Sequence, residues 1–211
     1  MKWPELLELV GHEPVFTANL LRAGMVSDGQ LRLQLTRWTK AGKVIKLRRG
    51  VYVLAAPYRK VEPHPFVIAN YLRKNSYVSL QSALAYHGLI PEHVPVVMSV
   101  TAARPENVQT MMGNFGFRHV HRSHLFGYEQ VAVSRQQDAF VATPEKALLD
   151  LVYLTPRAEQ LPYLQQLRLQ NLNVVNRQVL TDFVYRFDKR KLHRALRNLS
   201  LIIDEDAYES L

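Results

Sequence analysis

The sequence predicts an α+β fold, a small basic head followed by a mixed α/β C-terminal domain that ends in helices, on three observations. First, Ser27 to Leu54, SDGQLRLQLTRWTKAGKVIKLRRGVYVL, reads as one helix, a glycine and two β-rich segments joined by a basic turn. Second, Pro57-Tyr-Arg-Lys-Val-Glu-Pro-His-Pro65 places three prolines in nine residues, which break both helix and sheet. Third, the apolar spacing after Pro65 is helical, turns alternating from about Val94, and is helical again after Thr143. The predicted units are residues 1–56, a linker at 57–65, and residues 66–211.

In the head, Pro4 to Val10 predicts a first helix with Leu6, Leu7 and Val10 inward and Gly11 as its stop. Phe16 to Arg22 predicts a second, with Thr17 as cap and Gly24 at its end; Met25 and Val26 bridge to the third. Ser27 caps that helix, and Gln30 three residues on can close a capping box. Leu31, Leu35 and Trp38 share one face and should be buried. Arg32, Leu33, Thr36, Arg37 and Lys40 point the other way, with Gln30 on the flank. Gly42 ends the helix where a positive φ is often required. Lys43 to Leu47 and Val51 to Leu54 predict a hairpin that turns at Arg48-Arg49-Gly50. This order of parts is that of a winged helix-turn-helix.

In the body, Pro65 opens a helix through Leu72, and Ser79 caps another that runs to His87 and closes at Gly88. Val96 to Thr101 predicts a strand, and Pro105 to Met112 a short helix or loop. Gly116–Arg122, Phe126–Val133 and Phe140–Ala142 predict further strands. Thr143-Pro-Glu145 is a strong helix start: a hydroxyl cap, proline at the first position, an acid in the first turn. Thr155-Pro156 repeats the device. Helices should fill residues 156–170, 175–187 and 189–199, the last capped by Asp188 with a stripe at Leu192, Ala195 and Leu196. The acidic DEDAYESL reads as a tail.

The distribution of charge is more informative than its total. Of the formal +9, residues 1–60 contribute 11 Lys and Arg against 4 Asp and Glu, residues 61–154 balance at 7 and 7, and residues 155–211 carry 9 against 7. A basic head on a near-neutral body favours a nucleic-acid partner for the head. With no cysteine, disulfides, thiolate metal sites and cysteine nucleophiles are excluded. No apolar run approaches the ~18 residues of a membrane span, and MKWPELLELVG is too short for a signal peptide, so the expected location is cytoplasmic.

The residues expected to meet double-stranded DNA are Gln30, Arg32, Leu33, Thr36, Arg37 and Lys40 on the helix, and Lys43, Lys46, Arg48 and Arg49 on the hairpin. Arginine can bind guanine bidentately and glutamine adenine, while lysine suits a phosphate. The two arginines at the hairpin tip suit a phosphate backbone or minor groove. His119, His121 and His124 form the one histidine cluster, but Arg118 and Arg122 flank it and oppose a cation, so no metal is expected. Ser79, His87 and Asp150 lack the sequence context of a triad. Lys146 and Asp150, four apart, are expected to pair on their helix. The sequence therefore predicts no enzyme and no cofactor. Alternatives are a transcription factor whose second domain binds a metabolite, and a metal-dependent nucleic-acid enzyme using the histidine strand.

LRRGVYVL, YVSLQSALAYHGLIPE, VTAARP, FGFRHVHR and ATPEKALLDLVY, in this order, resemble the AbiEi-like antitoxins of type IV toxin–antitoxin (abortive infection) systems. The resemblance spans residues 15–200 and is weakest after Leu154. It implies a winged helix that binds operator inverted repeats and represses its own operon, as a dimer or as paired monomers. It also implies a C-terminal domain that counters a nucleotidyltransferase-like toxin, with or without a stable complex. By position, the family's DNA-binding role falls on Arg32, Arg37, Lys40, Arg48 and Arg49; no catalytic residue is implied.

Overall fold

A computed structural model describes residues 1–23 and 27–209 and has a mixed α+β architecture. The first part of the chain runs α1 (Trp3–Val10), β1 (Phe16–Thr17), a 3-10 turn (Leu20–Ala23), α2 (Asp28–Lys40), β2 (Val44–Arg48) and β3 (Val51–Leu54). The three strands form an antiparallel sheet in the order β1-β3-β2. The expected second helix at Phe16–Arg22 is thus a short strand and a 3-10 turn. Pairing wins because β3 offers partners on that side: Phe16 lies opposite Tyr52 with rings 5.8 Å apart, and Ala18 N–H donates to the Gly50 carbonyl at 3.0 Å. Thr17 still caps, accepting from Leu20 N at 3.4 Å. The stop expected at Gly24 and the bridge at Met25 and Val26 lie outside the described residues.

Helix α2 begins where its sequence signals put it. Ser27 Oγ accepts from Gln30 N at 3.4 Å, which is one half of the expected capping box. Gly42 follows the helix at φ +67° and donates to the Thr39 carbonyl, the left-handed ending that glycine adopts without strain. Leu31 and Leu35 are buried; Trp38 is half-buried, edge-on to Trp3 at 5.4 Å. They pack with Leu6, Val10, Phe16, Leu21, Val44, Tyr52 and Leu54 into a small core.

Strand β3 belongs to two cores. Tyr52 and Leu54 face the small core, whereas Val51 and Val53 join the large core of the rest of the molecule with Val15 and Leu47. The period-2 alternation of a strand sends adjacent residues to opposite faces. The uninterrupted VYVL run therefore reflects burial on both faces. The segment that follows is fastened as well. Lys60 N–H donates to the Gly11 carbonyl, His64 N–H donates to Gln137 Oε1 at 2.9 Å, and Gln137 Nε2 donates to the Glu62 carbonyl at 2.9 Å.

The body continues α3 (Pro65–Leu72), β4 (Ser76–Val78), α4 (Leu80–Tyr86), β5 (Val96–Thr101), β6 (Glu106–Thr110), β7 (Gly113–His119), a 3-10 turn (Arg122–His124), β8 (Tyr128–Ser134) and β9 (Gln137–Ala142). Its end is helical: α5 (Pro144–Leu154), α6 (Leu161–Gln166), a 3-10 turn (Leu172–Val174), α7 (Arg177–Phe187) and α8 (Arg190–Glu209). The six strands form one mixed sheet in the order β6-β7-β5-β4-β9-β8, with β4–β9 and β5–β7 parallel. Residues 106–110, expected to be helix or loop, are the edge strand β6. It pairs antiparallel with β7, and Thr110 Oγ1, bonded to the Gly113 carbonyl at 3.0 Å, helps close the turn.

Three helix boundaries differ from expectation. Thr155-Pro156 opens no helix; α6 begins at Leu161, with Pro162 in its first turn. Asp188, at φ +50°, ends α7 rather than capping α8. The acidic stretch expected as a tail continues α8 through Glu209, because Leu199 and Ile203 extend the buried stripe of Leu192 and Ala195 by two turns. Ser210 and Leu211 lie outside the described residues. Among the described residues no helix is long and apolar enough to cross a membrane.

Candidate nucleic-acid interface

Eight of the ten residues expected at a nucleic-acid surface are exposed. They are Gln30, Arg32, Leu33, Thr36, Arg37 and Lys40 on α2, with Lys46 and Arg49 on the hairpin. Leu33 is an exposed apolar side chain at 51%. Two stripes run along the helix. Arg32 and Thr36, one turn apart, join Lys46, Arg49 and the Tyr52 ring around an open cleft of about 540 Å³ between helix and hairpin. Leu33, Arg37 and Lys40 lie on the adjoining stripe. Asp28, at the helix start, also lines the cleft, so the surface is basic but not free of acid. Thr36 Oγ1 donates to the Arg32 carbonyl at 2.8 Å, which leaves its lone pairs as acceptors.

The other two are held elsewhere. Lys43 is half-buried, its Nζ 5.0 Å above the Trp3 ring, a cation–π contact that ties the end of α2 to α1. Arg48 turns toward the body: its guanidinium donates to the Leu72 carbonyl and lies 3.7 Å from Glu106, which Arg73 also engages. A bulge between Lys46 and Arg48 shifts the register of β2 against β3 by one residue. Such a bulge re-aims the side chains that follow it. Arg48 thus fastens the hairpin to α3 and β6, while Arg49, beside it in sequence, is exposed.

The three histidines turn their rings to different partners, although the His121 and His124 rings lie 6.0 Å apart. His119 Nδ1 lies 3.1 Å from the Ala103 carbonyl, His121 Nδ1 accepts from Ser123 N, and His124 is buried, stacked on Phe187 at 4.4 Å. Among the described residues no three His, Cys, Asp or Glu side chains are grouped to hold a metal ion. His124 titrates below the usual imidazole range, first because burial penalises its charged form and then because Lys189 and Lys146 repel a proton.

Ser79 and Asp150 meet, but not in a triad. Ser79 Oγ donates to Asp150 Oδ2 at 2.8 Å instead of capping α4, and Tyr77 OH donates to the same oxygen at 2.9 Å. Lys146 donates to Asp150 Oδ1 and, at 2.8 Å, to Tyr77 OH. His87 is bonded instead to the Ala142 carbonyl at 2.7 Å. Lys146 and Asp150 are wholly buried, with the Tyr77, Phe126 and Phe187 rings about the ammonium. Burial lowers the Lys146 pKa against the opposing pull of Asp150, and burial first, then Asp150, pushes Tyr77 well up. Closed to solvent, the group is a structural pin joining β4 to α5. The sequence carried its signal: a Lys and an Asp four apart enclose Ala-Leu-Leu, and Leu-Val follows. Glu145 likewise does more than favour the helix start, accepting from Asn176 N at 2.7 Å to hold α7.

Sequence reasoning missed a cavity of about 800 Å³ at one end of the large sheet, lined by Lys74, Thr101, His119, His121, Arg122 and Tyr128 among others. Comparison with protein-family models finds no match, and comparison with characterised proteins finds none either.

Proposed function

We propose that this chain is a DNA-binding antitoxin of the AbiEi-like kind. Its head acts as a winged helix-turn-helix that represses its own operon at inverted repeats, and its C-terminal domain counteracts a nucleotidyltransferase-like toxin. The observation that carries the DNA-binding half is the exposed face of α2, with Arg32, Arg37 and Lys40, beside the exposed Lys46 and Arg49. In this reading the head is captured electrostatically, residues 30–40 enter the major groove, and the hairpin clamps the backbone. The antitoxin half rests on the ordered motifs from RRGVYVL to TPEKALLDL. The reading assigns no catalytic residue and no cofactor.

The test pairs the full-length chain with the nucleotidyltransferase-like gene beside its own. Wild type and an Arg32→Ala/Arg37→Ala variant should both rescue growth from the toxin, whereas only wild type should silence a reporter behind the operon promoter. Absence of rescue by both overturns the antitoxin half. Equal losses for Arg37→Ala on operator and scrambled DNA overturn base reading by α2.

A second reading, a ligand-responsive transcriptional regulator, is favoured by one arrangement. Arg73 adjoins Lys74, which lines the 800 Å³ cavity, and shares Glu106 with Arg48 of the hairpin. An occupied cavity thus has a short physical route to the DNA-reading head. A reproducible thermal shift by a small molecule that also changes operator affinity would support it.

A further inference from the structure

The cavity at the end of the large sheet has a chemistry of its own. It forms where β4 begins, at Ser76, and where β5 and β7 end, at Thr101 and His119. Its cations are Lys74 and Arg122, and neither has an ion-pair partner among the described residues. No aspartate or glutamate lines it. Two imidazoles complete the polar wall. His119 points Nδ1 at the Ala103 carbonyl, an acceptor only, so Nδ1 carries the proton and Nε2 is left over. His121 Nδ1 accepts from the Ser123 N–H, so its proton lies on Nε2, as a donor. Such a wall suits a group that carries negative charge and several acceptor oxygens.

Part of the lining is aromatic. Tyr128 and Phe140 line the cavity and are 40% and 43% exposed, unusual for side chains of this size on a sheet. One face of Tyr128 is covered by the buried Tyr77, parallel at 4.5 Å, which fixes the ring and leaves the other face as a platform. Phe140 stands edge-on beside it at 6.0 Å. A second cavity of about 360 Å³, also lined by Phe140, shares Lys74, Asn75 and Ser76; its Asn70 amide is bonded to Phe140 N and the Ser76 carbonyl, and its Gln130 donates to Asp138 at 3.0 Å. A simple anion would fill little of this space, which lies in the range of small-molecule sites. Cations and stacking rings lining one cavity are what a phosphate joined to a flat heterocycle requires.

We propose that this cavity binds a nucleoside 5′-phosphate, its phosphate on Lys74, Arg122 and the His121 Nε2–H and its base on Tyr128 and Phe140. The same chemistry occurs in a free mononucleotide and at the 5′ end of an RNA. The site is separate in space from the exposed face of α2 on which the proposed DNA binding rests.

The test is calorimetric titration of the full-length protein, carrying Arg32→Ala/Arg37→Ala to silence the head, with adenosine 5′-monophosphate, adenosine, inorganic phosphate, and an RNA tetranucleotide with and without a 5′-phosphate. The monophosphate should bind about tenfold or more tightly than adenosine or phosphate alone. Lys74→Ala/Arg122→Ala should remove that advantage and leave adenosine binding unchanged. Both side chains lie at the surface, and matching melting curves will show that the variant is folded. Phe140→Ser should weaken monophosphate and adenosine alike, by about 5- to 100-fold for a lost stacking contact. Binding of the mononucleotide identifies a free nucleotide as the ligand; binding of the phosphorylated RNA alone identifies a chain end. Failure of both to bind, or binding that the Lys74/Arg122 variant leaves intact, overturns the proposal.

Discussion

On α2, Arg32, Arg37 and Lys40 are exposed along a helix whose inner face is leucine; on α5, Lys146 is wholly buried and held by Asp150, Tyr77 and three aromatic rings. Both helices place a basic residue about one turn from leucines, yet the charges do opposite work. An exposed guanidinium keeps its hydration and is available to a partner. A buried ammonium has lost its water and is tolerable only while each proton has an acceptor. Arg48 and Arg49 repeat the contrast within one hairpin: one is docked on Leu72 and Glu106, the other exposed. Basic residue type alone therefore identifies no partner; placement does.

The sharpest way to break this contrast is to strip Lys146 of its counter-charge. Asp150→Ala should cost about 3–5 kcal/mol by leaving a buried charge unpaired, a fall of roughly 6–20 °C in melting temperature for a chain of this size. Removing both charges, as Lys146→Met with Asp150→Leu, should recover most of that. A single variant that melts with wild type would show that the cluster is open to water. The mirror experiment is on α2. Arg32→Ala and Arg37→Ala should each cost about 1–3 kcal/mol of operator binding if they contact bases, and should leave stability within about 0.5 kcal/mol.

Within the hairpin, Arg48→Ala should lower stability by about 1–2 kcal/mol through the bond lost to Leu72 and leave the salt dependence of DNA binding alone. Arg49→Ala should do the reverse, reducing the slope of log K against log salt by about one. An equal loss of slope in both variants would place Arg48 with Arg49 in the proposed DNA contact. The smallest effect concerns pH. His124 and, through burial, His64 titrate below the free imidazole value. Below about pH 6.5 the unfolded chain takes up protons that the folded one refuses. Stability is therefore fully present above that value and is lost as pH falls toward the folded pKa values. His124→Phe, which keeps the stack on Phe187, should flatten part of the loss in melting curves between pH 7.5 and 5.

Local signals carried much of the fold. Ser27, Gly42 and Gly50 mark ends and a turn by backbone chemistry that acts within a few residues, and Val96–Thr101 was legible to the residue. Thr143 and Pro144 likewise start α5 where they stand, with Thr143 Oγ1 accepting from Lys146 N at 3.4 Å. The outward set on α2 was legible because a helix of 3.6 residues per turn sorts its own faces. What failed were segments whose state is set by a partner outside their own run of residues, near in sequence or far. Phe16 and Thr17 became a strand because β3 was there to pair, residues 106–110 because β7 was, and the acidic stretch became helix because Leu199 and Ile203 found a core to bury them.

Helical period, the Ser27 and Thr143 caps, the turn glycines and the location of positive charge were thus determined by the sequence itself, since each acts over one or two turns of chain. Only the tertiary structure decided that Arg48 faces the body, that Ser79 serves Asp150 rather than its own helix, and that Lys74, Arg122 and Tyr128 share a cavity. Those assignments depend on contacts between residues 24 or more positions apart, or on which face of a strand another element covers, and local periodicity contains neither.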